Sequence, residues 1–594
     1  MSFQSSEQWR PPQEPPPSPY AGSEATRLMC AGVYLDPEFR RRVIGELVEH
    51  DERTVPPSLG FDLITVLAHA LRARTLELWT GAVLAALWIA FGYSEFRPAF
   101  DDPSSGGSWG PYGGQGYGSY PHSSATDQLF GSSSPSVTPY VLNFAFLYAL
   151  VTLISWFAKP AEVREYALYA PATPGGTRAT ARRSGGWRTA FAVICQLLYW
   201  WVAVLGLFGP DPKGVVFPLM LAATVGGHRL LVAQLVRREL SRDTFGSRPP
   251  RPLPDRPYYR RLRQAIAAEQ YSQLIVYDPA DPFLGAGFPY RPWSFALELK
   301  RRKTGPVVTD TGDLTARAVL DLIVPRLAAL RQAAAETSLD RLRELEIEHL
   351  VFLPYGPTRA DVPRGSAEIN RHIAEAVDEG GERRRHFLRA RVGAWDEQVV
   401  LSVLLRVHTQ GQLLVLEVVP HVLGPVWRDY ELLADAMAQR GVRLRRRRPA
   451  VSAFTAAPAA LRILLHPGGR ASGTTEDDAV LGSARPMVSL RELAASRTVS
   501  IFQELDVHRY LKTIQERIID GVREALHNQG YETGRFEQTV VQVMEGGIHI
   551  GSMSGGAVAT NGGTAEDHSR RTGVTVTGQG NVGPASWQAS VDVK

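Results

Sequence analysis

The stretch PYVLNFAFLYALVTLISWFA, residues 139–158, contains no charged residue, and it decides the predicted fold class. A helix that spans a bilayer needs about 20 mostly apolar residues, so this stretch is long enough to cross one. Three further segments are similarly apolar: 76–93, 187–209 and 214–236. The sequence therefore predicts an α-helical membrane bundle of about four spans within residues 76–236. A buried core helix of a soluble domain remains the alternative, chiefly for 214–236, which contains His228 and Arg229.

The loops between these segments differ in basic residues. Loop 94–138 has a single Lys or Arg, whereas loop 159–186 has Lys159, Arg164, Arg178, Arg182 and Arg183. Because cytoplasmic loops carry an excess of Lys and Arg, we expect a multi-pass protein of the cell membrane with both termini in the cytoplasm. The glycine- and serine-rich loop 94–138 would then lie outside and be flexible. The lipid bilayer is the first partner that the sequence predicts.

The rest of the chain divides by composition. Residues 258–440 alternate strand and helix patterns, which predicts an α+β (or α/β) cytoplasmic domain. Residues 488–529 have apolar positions at helical spacing, and we expect this helix to pack against that domain. The remaining predicted segments are a disordered tail (1–27), a cytoplasmic helical segment (28–75), a linker (247–257), a basic run and linker (441–485), a helical segment (486–530) and a glycine-rich tail (538–594).

The sequence offers little sign of chemistry. Two cysteines exclude a disulfide framework and a cysteine-based zinc cluster, and no phosphate-binding loop or nucleophile elbow is present. Asp278, Asp281 and Glu298 could form a carboxylate site, but Asp-Pro pairs are typical of turns. We therefore assign no catalytic, cofactor-binding or metal-binding residue and expect no cofactor. Whether the protein is an enzyme stays open, and the residues favour a non-enzyme.

A run of arginines is more distinctive. Arg443, Arg445, Arg446, Arg447 and Arg448 follow the predicted α+β domain. Near a membrane, such a run gains roughly 1 kcal/mol per charge from anionic lipid, so we expect these residues to contact lipid. A solvated charge run is the alternative. Nucleic acid is not favoured as a partner, because no aromatic side chains accompany the arginines and the net charge of the chain is only +5.

The C-terminal tail changes character, since residues 546–563 contain no charged residue and no proline. Such glycine-bounded, β-prone stretches can stack between chains. Ile548, His549, Ile550 and Gly551, followed by Ser-Met-Ser, resemble the core of the RIP homotypic interaction motif. Related amyloid-signalling motifs end some actinobacterial proteins, so the resemblance implies self-assembly or recruitment of a partner through these four residues.

A second resemblance covers the chain as a whole. Its segments LDPEFR (35–40), DPFLGAG (281–287), WSFAL (293–297) and FQELDV (502–507) are similar to those of large multi-pass membrane proteins of high-GC actinobacteria. This resemblance implies the membrane architecture and assigns no catalytic residue.

These patterns together predict a membrane-anchored, non-enzymatic signalling or scaffold protein. Its cytoplasmic domain and glycine-rich tail would mediate self-assembly into a homo-oligomer or bind a cytoplasmic protein partner. Two alternatives remain. The protein could be a transporter or channel subunit with a regulatory cytoplasmic domain, or a membrane-bound hydrolase that uses Asp278, Asp281 or Glu298.

Overall fold

A curled, mixed sheet forms the centre of the fold in this computed structural model. Its seven strands are β1 Leu274–Tyr277, β2 Phe288–Pro289, β3 Trp293–Glu298, β4 Glu346–Pro354, β5 Arg385–Ala394, β6 Val399–Gln410 and β7 Leu413–Leu423. The spatial order is β1-β4-β5-β6-β7-β2, and β3 also pairs with β7. β1 is parallel to β4, and the other neighbouring strands are antiparallel.

The structure describes residues 18–100, 144–157, 186–207, 213–302, 313–337, 340–354, 359–379, 381, 383–438, 456–465 and 486–544. The helices of two or more turns are α1 Glu24–Leu35, α2 Pro37–Ile44, α3 Leu63–Phe100, α4 Phe144–Phe157, α5 Gly186–Leu207, α6 Lys213–Glu239, α7 Pro257–Glu269, α8 Ala316–Thr337, α9 Ser366–Glu379, α10 Arg428–Ala438, α11 Ala456–Leu465, α12 Ile501–Asn528 and α13 Gly534–Met544.

The middle of the sheet is covered on both faces. β6 is buried at every position from Val399 to Leu405, which explains its continuous apolar sequence. α8 and α12 share one core with β3, β5, β6 and β7. A second, smaller cluster joins Phe352 and Phe387 with the loop residue Phe283. The sheet is therefore the centre of one continuous packed unit.

Helix α12 closes the larger face of the sheet. It begins with a capping box, in which Ser500 and Gln503 satisfy each other's backbone N–H groups. Its buried stripe of Val507, Leu511, Ile514, Ile518 and Val522 belongs to the sheet core. The prediction that this helix packs against the α+β domain is thus confirmed, and the core of that domain extends beyond the predicted boundary at residue 440.

A second core lies beside the sheet and unites the N-terminal helices with later ones. α1, α2, the first turns of α3, the last turns of α6, α7 and α10 all contribute apolar side chains to it. α1 begins after its N-cap Ser23, whose side chain accepts from Thr26 N–H. Residues 18–27 are therefore ordered, which corrects the predicted disordered tail of 1–27. The boundary was wrong because it was placed from the composition of the proline cluster alone. In the folded chain Tyr20 donates to Glu346 and Arg27 donates to Leu240 O, and both partners lie far away in the sequence.

The apolar helices form a third cluster. α3, α4, α5, α6 and α11 meet around Leu84, Tyr148, Tyr199 and Leu221. α3 is a single helix whose first turns lie in the second core and whose later turns lie in this cluster. α6 has the reverse arrangement: its first turns lie in this cluster and its last turns lie in the second core.

The predicted fold class, a membrane bundle of about four spans, is wrong. Among the described residues, two helices are long and apolar enough to cross a membrane, over Leu63–Ser94 and Gly214–Glu239. The predicted span 139–158 is described as a helix over only 14 residues, about 21 Å at 1.5 Å per residue. In the predicted span 187–209 the apolar part of the helix is limited to Val193–Val204. The fold is an α+β arrangement around the curled sheet, with apolar helices attached.

Candidate functional site

An open cleft of ≈ 870 Å³ lies at one end of the sheet. The turn between β5 and β6, the end of β7, the first turn of α10 and the first turn of α12 surround it. The N-terminus of α1 and the single helical turn Arg242–Phe245 complete its wall through Glu24 and Arg242. The remaining lining residues are Trp395, Asp396, Gln398, Pro425, Val426, Arg428, Glu431, Ser496, Thr498, Val499, Ser500 and Gln503. The site therefore collects residues that lie far apart in the sequence, from Glu24 to Gln503.

The turn after β5 is strained. Trp395, Asp396 and Glu397 all have positive φ, at 56°, 55° and 66°. A left-handed backbone costs a residue with a side chain roughly 1–2 kcal/mol. Such strain persists only where surrounding contacts hold it, and it is concentrated at functional sites. Here the turn places the half-exposed Trp395 ring at the edge of the cleft.

A buried arginine holds this turn from below. Arg391 pairs with Glu397 and, at 2.6 Å, with Glu346 Oε2. It also donates to Tyr20 Oη at 2.9 Å and lies 5.0 Å from the centre of the Tyr20 ring. Burial alone would lower the pKa of Arg391, but the carboxylates of Glu397 and Glu346 outweigh it and raise the pKa. The N-terminal segment, β4 and the strained turn are thereby joined through one cation.

The charges around Arg242 on the cleft wall are paired with one another. Arg242 lies 3.3 Å from Glu24 Oε1, 2.5 Å from Glu431 Oε1 and 3.7 Å from Asp435 Oδ2. Asp396, in the turn between β5 and β6, accepts from Arg341 Nη2 at 2.8 Å. These pairs leave the cleft with little net charge to offer a strongly charged ligand.

The glycine turn of the DPFLGAG segment has a structural role, because a glutamate side chain binds its N–H groups. Glu492 Oε1 accepts from Gly285 N–H at 2.9 Å and from Gly287 N–H at 2.8 Å. The two N–H groups that a phosphate would need are therefore already bonded to a carboxylate. Next to it, the fully buried Arg491 donates from Nη2 to the carbonyls of Gln398 and Gly424, at 2.8 and 2.9 Å. Burial lowers the pKa of Arg491 to about 10.

The candidate carboxylates do not form one site. Asp278 Oδ1 accepts from Ala280 N–H at 3.0 Å, and Asp281 N–H donates to Asp278 O at 3.0 Å, so this pair makes a turn. Burial and the neighbouring Asp278 raise the pKa of Asp281. Glu298 lies on β3, which four strands separate from β1 in the sheet, near Lys300 Nζ (3.4 Å) and Arg535 Nη1 (3.6 Å).

A histidine pair was not predicted. His349 Nδ1 lies 3.0 Å from His386 Nε2, where β4 and β5 run side by side. Burial lowers the pKa of both rings, that of His386 to about 3, so this is a neutral, hydrogen-bonded pair. Within the described ranges, no group of three or more His, Cys, Asp or Glu side chains is arranged to hold a metal ion.

The interaction residues predicted from sequence fall elsewhere. Ile548, His549, Ile550 and Gly551 lie outside the described residues, and so do Arg443 and Arg445–Arg448. The cleft itself was missed, because residues from five separate segments of the sequence line it. One local signal was available: Ile501, Phe502 and Leu505 are apolar but stand off the buried stripe of α12. Off-stripe apolar residues on a helix indicate an exposed apolar surface.

Comparison with known proteins finds a match to one protein family, over part of the chain. No curated protein and no solved structure matches the chain. The comparisons support neither a RIP homotypic interaction motif nor an actinobacterial source. Less than half of the chain matches a protein family, in a stretch that begins just before β3 and passes the end of α13. That stretch contains the strained turn, most of the sheet and the first turn of α12, and so most of the cleft. Residues 292–556 are thus similar to the AbeC-like domain, and this is the family match of the chain.

Proposed function

We propose that this chain is a membrane-anchored, non-enzymatic signalling or scaffold protein, whose sheet unit mediates protein interaction next to the bilayer. The observation that carries the proposal is the continuity of α3. Its first turns contribute Leu63, Val66 and Leu67 to the second core, where they are buried. Further along the same helix, Trp79, Ile89 and Tyr93 are 70%, 72% and 65% exposed.

α6 repeats this pattern in the opposite direction. Val216, Leu219, Leu230 and Leu231 are exposed, and Val236 is buried in the second core at the other end of the helix. Soluble monomers rarely expose contiguous apolar surface of this kind. Two neighbouring helices with the same exposed apolar zone are what a lipid environment would favour.

The residues at the edge of this apolar zone support its placement in a membrane. Arg72 Nη1 donates to Glu239 Oε2 at 2.6 Å and Arg40 pairs with Glu77, so paired charges lie where the exposed apolar residues begin. The exposed Trp79 and Tyr93 are about 21 Å apart along α3 at 1.5 Å per residue. Aromatic residues at both limits of an apolar zone are typical of membrane interfaces.

A rigid connection suits a scaffold. α3 and α6 are continuous from the proposed membrane zone into the second core. α10 links that core to the cleft, because Leu433 is buried in the core and Glu431 lines the cleft. The sheet unit and its cleft would therefore be held in one orientation to the bilayer. The predicted tail motif and the predicted lipid-contacting arginines belong to the same proposal, and the tail motif has a separate test.

The test is flotation of the full chain with lipid vesicles. The wild type should float, and the double variant Val83→Arg/Ile89→Arg should float less. A charge at the centre of a bilayer-spanning helix costs about 2.5–3.5 kcal/mol on the insertion scale, so two should cost about 6 kcal/mol. The matched control is Leu413→Arg, a partly exposed apolar residue at the turn between β6 and β7. A wild type that stays in solution, monodisperse without detergent, would refute membrane anchoring.

A further inference from the structure

Strand β3 lies at an edge of the sheet. It pairs with β7 on one side, and among the described residues it has no strand partner on the other. Leu299 N–H donates to Gln412 O at 2.6 Å, in register with the β3–β7 pairing. Because the backbone groups of an antiparallel strand alternate between its two sides, the N–H and C=O groups of Ser294, Ala296 and Glu298 point away from β7. We refer to these three residues as the β3 edge.

The β3 edge is exposed and unpaired. All three residues are exposed, and their outward N–H and C=O groups have no hydrogen-bond partner in the described part of the chain. Immediately after β3, the chain itself uses the same side: Glu532 N–H donates to Lys300 O at 2.8 Å, and Arg302 N–H donates to Gly530 O at 2.9 Å. Backbone pairing on this side of β3 therefore stops short of residues 294–298.

The β3 edge also lacks the features that protect an edge strand. Natural edges are blunted by charged residues, prolines or bulges, because unpaired N–H and C=O groups are a template for another strand. The sequence of β3, WSFALE, has no proline and has its single charge at the last residue. β1, at the opposite edge of the sheet, is only four residues long and is buried at every position. The open strand position of the sheet is therefore beside β3.

We propose that residues 547–553 of the C-terminal tail add to the β3 edge as a further strand of the same chain's sheet. This stretch, GIHIGSM, lies outside the described residues. It has no charged residue and no proline, so nothing in it opposes a ladder of backbone hydrogen bonds. The inference goes beyond the proposed function, because it concerns pairing within one chain and holds with or without a membrane.

The tail begins close enough to reach the edge. α13 packs against β3, and the ring centroids of Phe536 and Phe295 are 5.8 Å apart. Met544, the last residue of α13, lies about 12 Å further along the helix than Phe536, at 1.5 Å per residue. The extended chain from Met544 to Ile548 spans up to about 13 Å, at 3.3 Å per residue. Ile548 can therefore return to the middle of β3.

The family match favours this part of the tail as the occupant. The similarity to the AbeC-like domain begins at residue 292, next to the first residue of β3, and continues past the end of α13 to residue 556. Residues 545–556 thus belong to the matched domain, whereas the second β-prone run of the tail, 573–584, lies beyond it. We expect a stretch that belongs to a domain to pack with its elements, and β3 offers an open strand position.

The side-chain pattern of the tail suits the two faces of the sheet. In an added strand, Ile548 and Ile550 lie on one face and His549 lies on the other. The face of β3 that carries Trp293 and Phe295 belongs to the sheet core, and the opposite face is exposed. The two isoleucines would extend the core face. A tail strand held by β3 is not free to stack between chains, so this pairing would restrain self-assembly of the tail until the strand is released.

Hydrogen exchange of the full chain in mild detergent tests the pairing. In the wild type the amides of the β3 edge should be protected, because they donate to the tail. Ile550→Pro removes a donor and disrupts the added strand, so these amides should exchange about 10-fold faster or more, with exchange in β6 unchanged. Val576→Pro is the matched control, since it makes a similar change beyond the family match, and it should leave the edge protected. Equal exchange of the β3 edge in all three proteins would overturn the proposal.

A thiol cross-link tests whether the pairing is within one chain. The double variant Ala296→Cys/His549→Cys places both thiols on the exposed face, and a short bifunctional maleimide should join them within one chain. Ala296→Cys/Thr575→Cys is the control and should be linked far less; the native Cys30 and Cys195 are buried and common to both variants. A covalent dimer in place of the link within one chain, or equal linking of the two variants, would overturn the proposal. Since neither measurement detects membrane binding, the outcome is independent of the flotation result.

Discussion

Alanine at Gly287 should destabilise the sheet unit far more than alanine at another left-handed glycine. Gly287 has φ +94°, and Gly411 in the turn between β6 and β7 has φ +59°. Both substitutions place a Cβ on a left-handed backbone, which costs roughly 1–2 kcal/mol. Both also reduce the freedom of the unfolded chain, which offsets about 0.4–1 kcal/mol of that cost.

The two sites differ in the space around the new atom. At Gly287 a Cβ would lie 2.6 Å from Leu423 Cα and would also collide with Val422 O, both in the backbone of β7. β7 is held between β6, β2 and β3, so it cannot move aside without loss of strand pairing. At Gly411 no atom lies within 4 Å. We therefore expect an additional penalty of about 1–3 kcal/mol at Gly287, the usual range for overpacking.

The assay is thermal unfolding of the two variants beside the wild type. In a unit of roughly 150–250 residues, each kcal/mol shifts Tm by about 2–4 °C. Gly287→Ala should therefore melt about 2–12 °C below Gly411→Ala. Equal Tm values for the two variants would refute the reasoning, because they would mean that Gly287 is needed for its φ alone and that β7 yields to the added methyl group.

Three further predictions follow from the membrane proposal, the tail and the histidine pair. A cysteine at Gly114 should react with a membrane-impermeant thiol reagent in intact cells, and one at the exposed Ser247, just after α6, should react only after permeabilisation; the reverse pattern would refute the orientation. A peptide of residues 540–565 should bind thioflavin and show cross-β diffraction, and Ile550→Asp should not; a wild-type peptide that stays soluble would remove the tail from the proposed function. Because burial lowers the pKa of His386 to about 3, its contribution to stability is full above about pH 6.5, the unfolded value, and is lost as the pH falls from there towards 3. His386→Gln should flatten the loss of stability between pH 6.5 and 4 in acid unfolding, and an unchanged pH dependence would mean that this histidine is protonated in the folded protein.

β5, which contains the buried Arg391, shows why some strands are hard to predict from sequence. β5 has the sequence RHFLRARVGA, in which three arginines interrupt the apolar pattern. Two of them are matched by acids that lie far away in sequence: Arg389 pairs with Glu348, and Arg391 pairs with Glu346. A strand whose charges are neutralised across the sheet has no local signature, because its partners are defined only when the sheet forms.

The predicted spans show a related limit of local reasoning. Length and apolarity located the helices α3 to α6, but they did not place the boundary of α3, which begins at Leu63 and not at residue 76. Residues 63–75 are mostly apolar, with charges only at Arg72 and Arg74, and their apolar face is buried against α1. Hydropathy averages over a helix and therefore cannot separate turns that face protein from turns with exposed apolar side chains.

The sequence by itself determined the elements whose signal is local. The periodicity of α8 and α12, the apolar run of β4 and the glycine turn between β6 and β7 all follow from neighbouring residues. Only the tertiary structure decided the strand order, the joining of residues 18–75 to the sheet unit and the cleft at the end of β7. The reason is physical: these features depend on pairs of residues far apart in the chain, such as Tyr20 with Glu346 or Gly287 with Glu492, and such contacts exist only once the chain has folded.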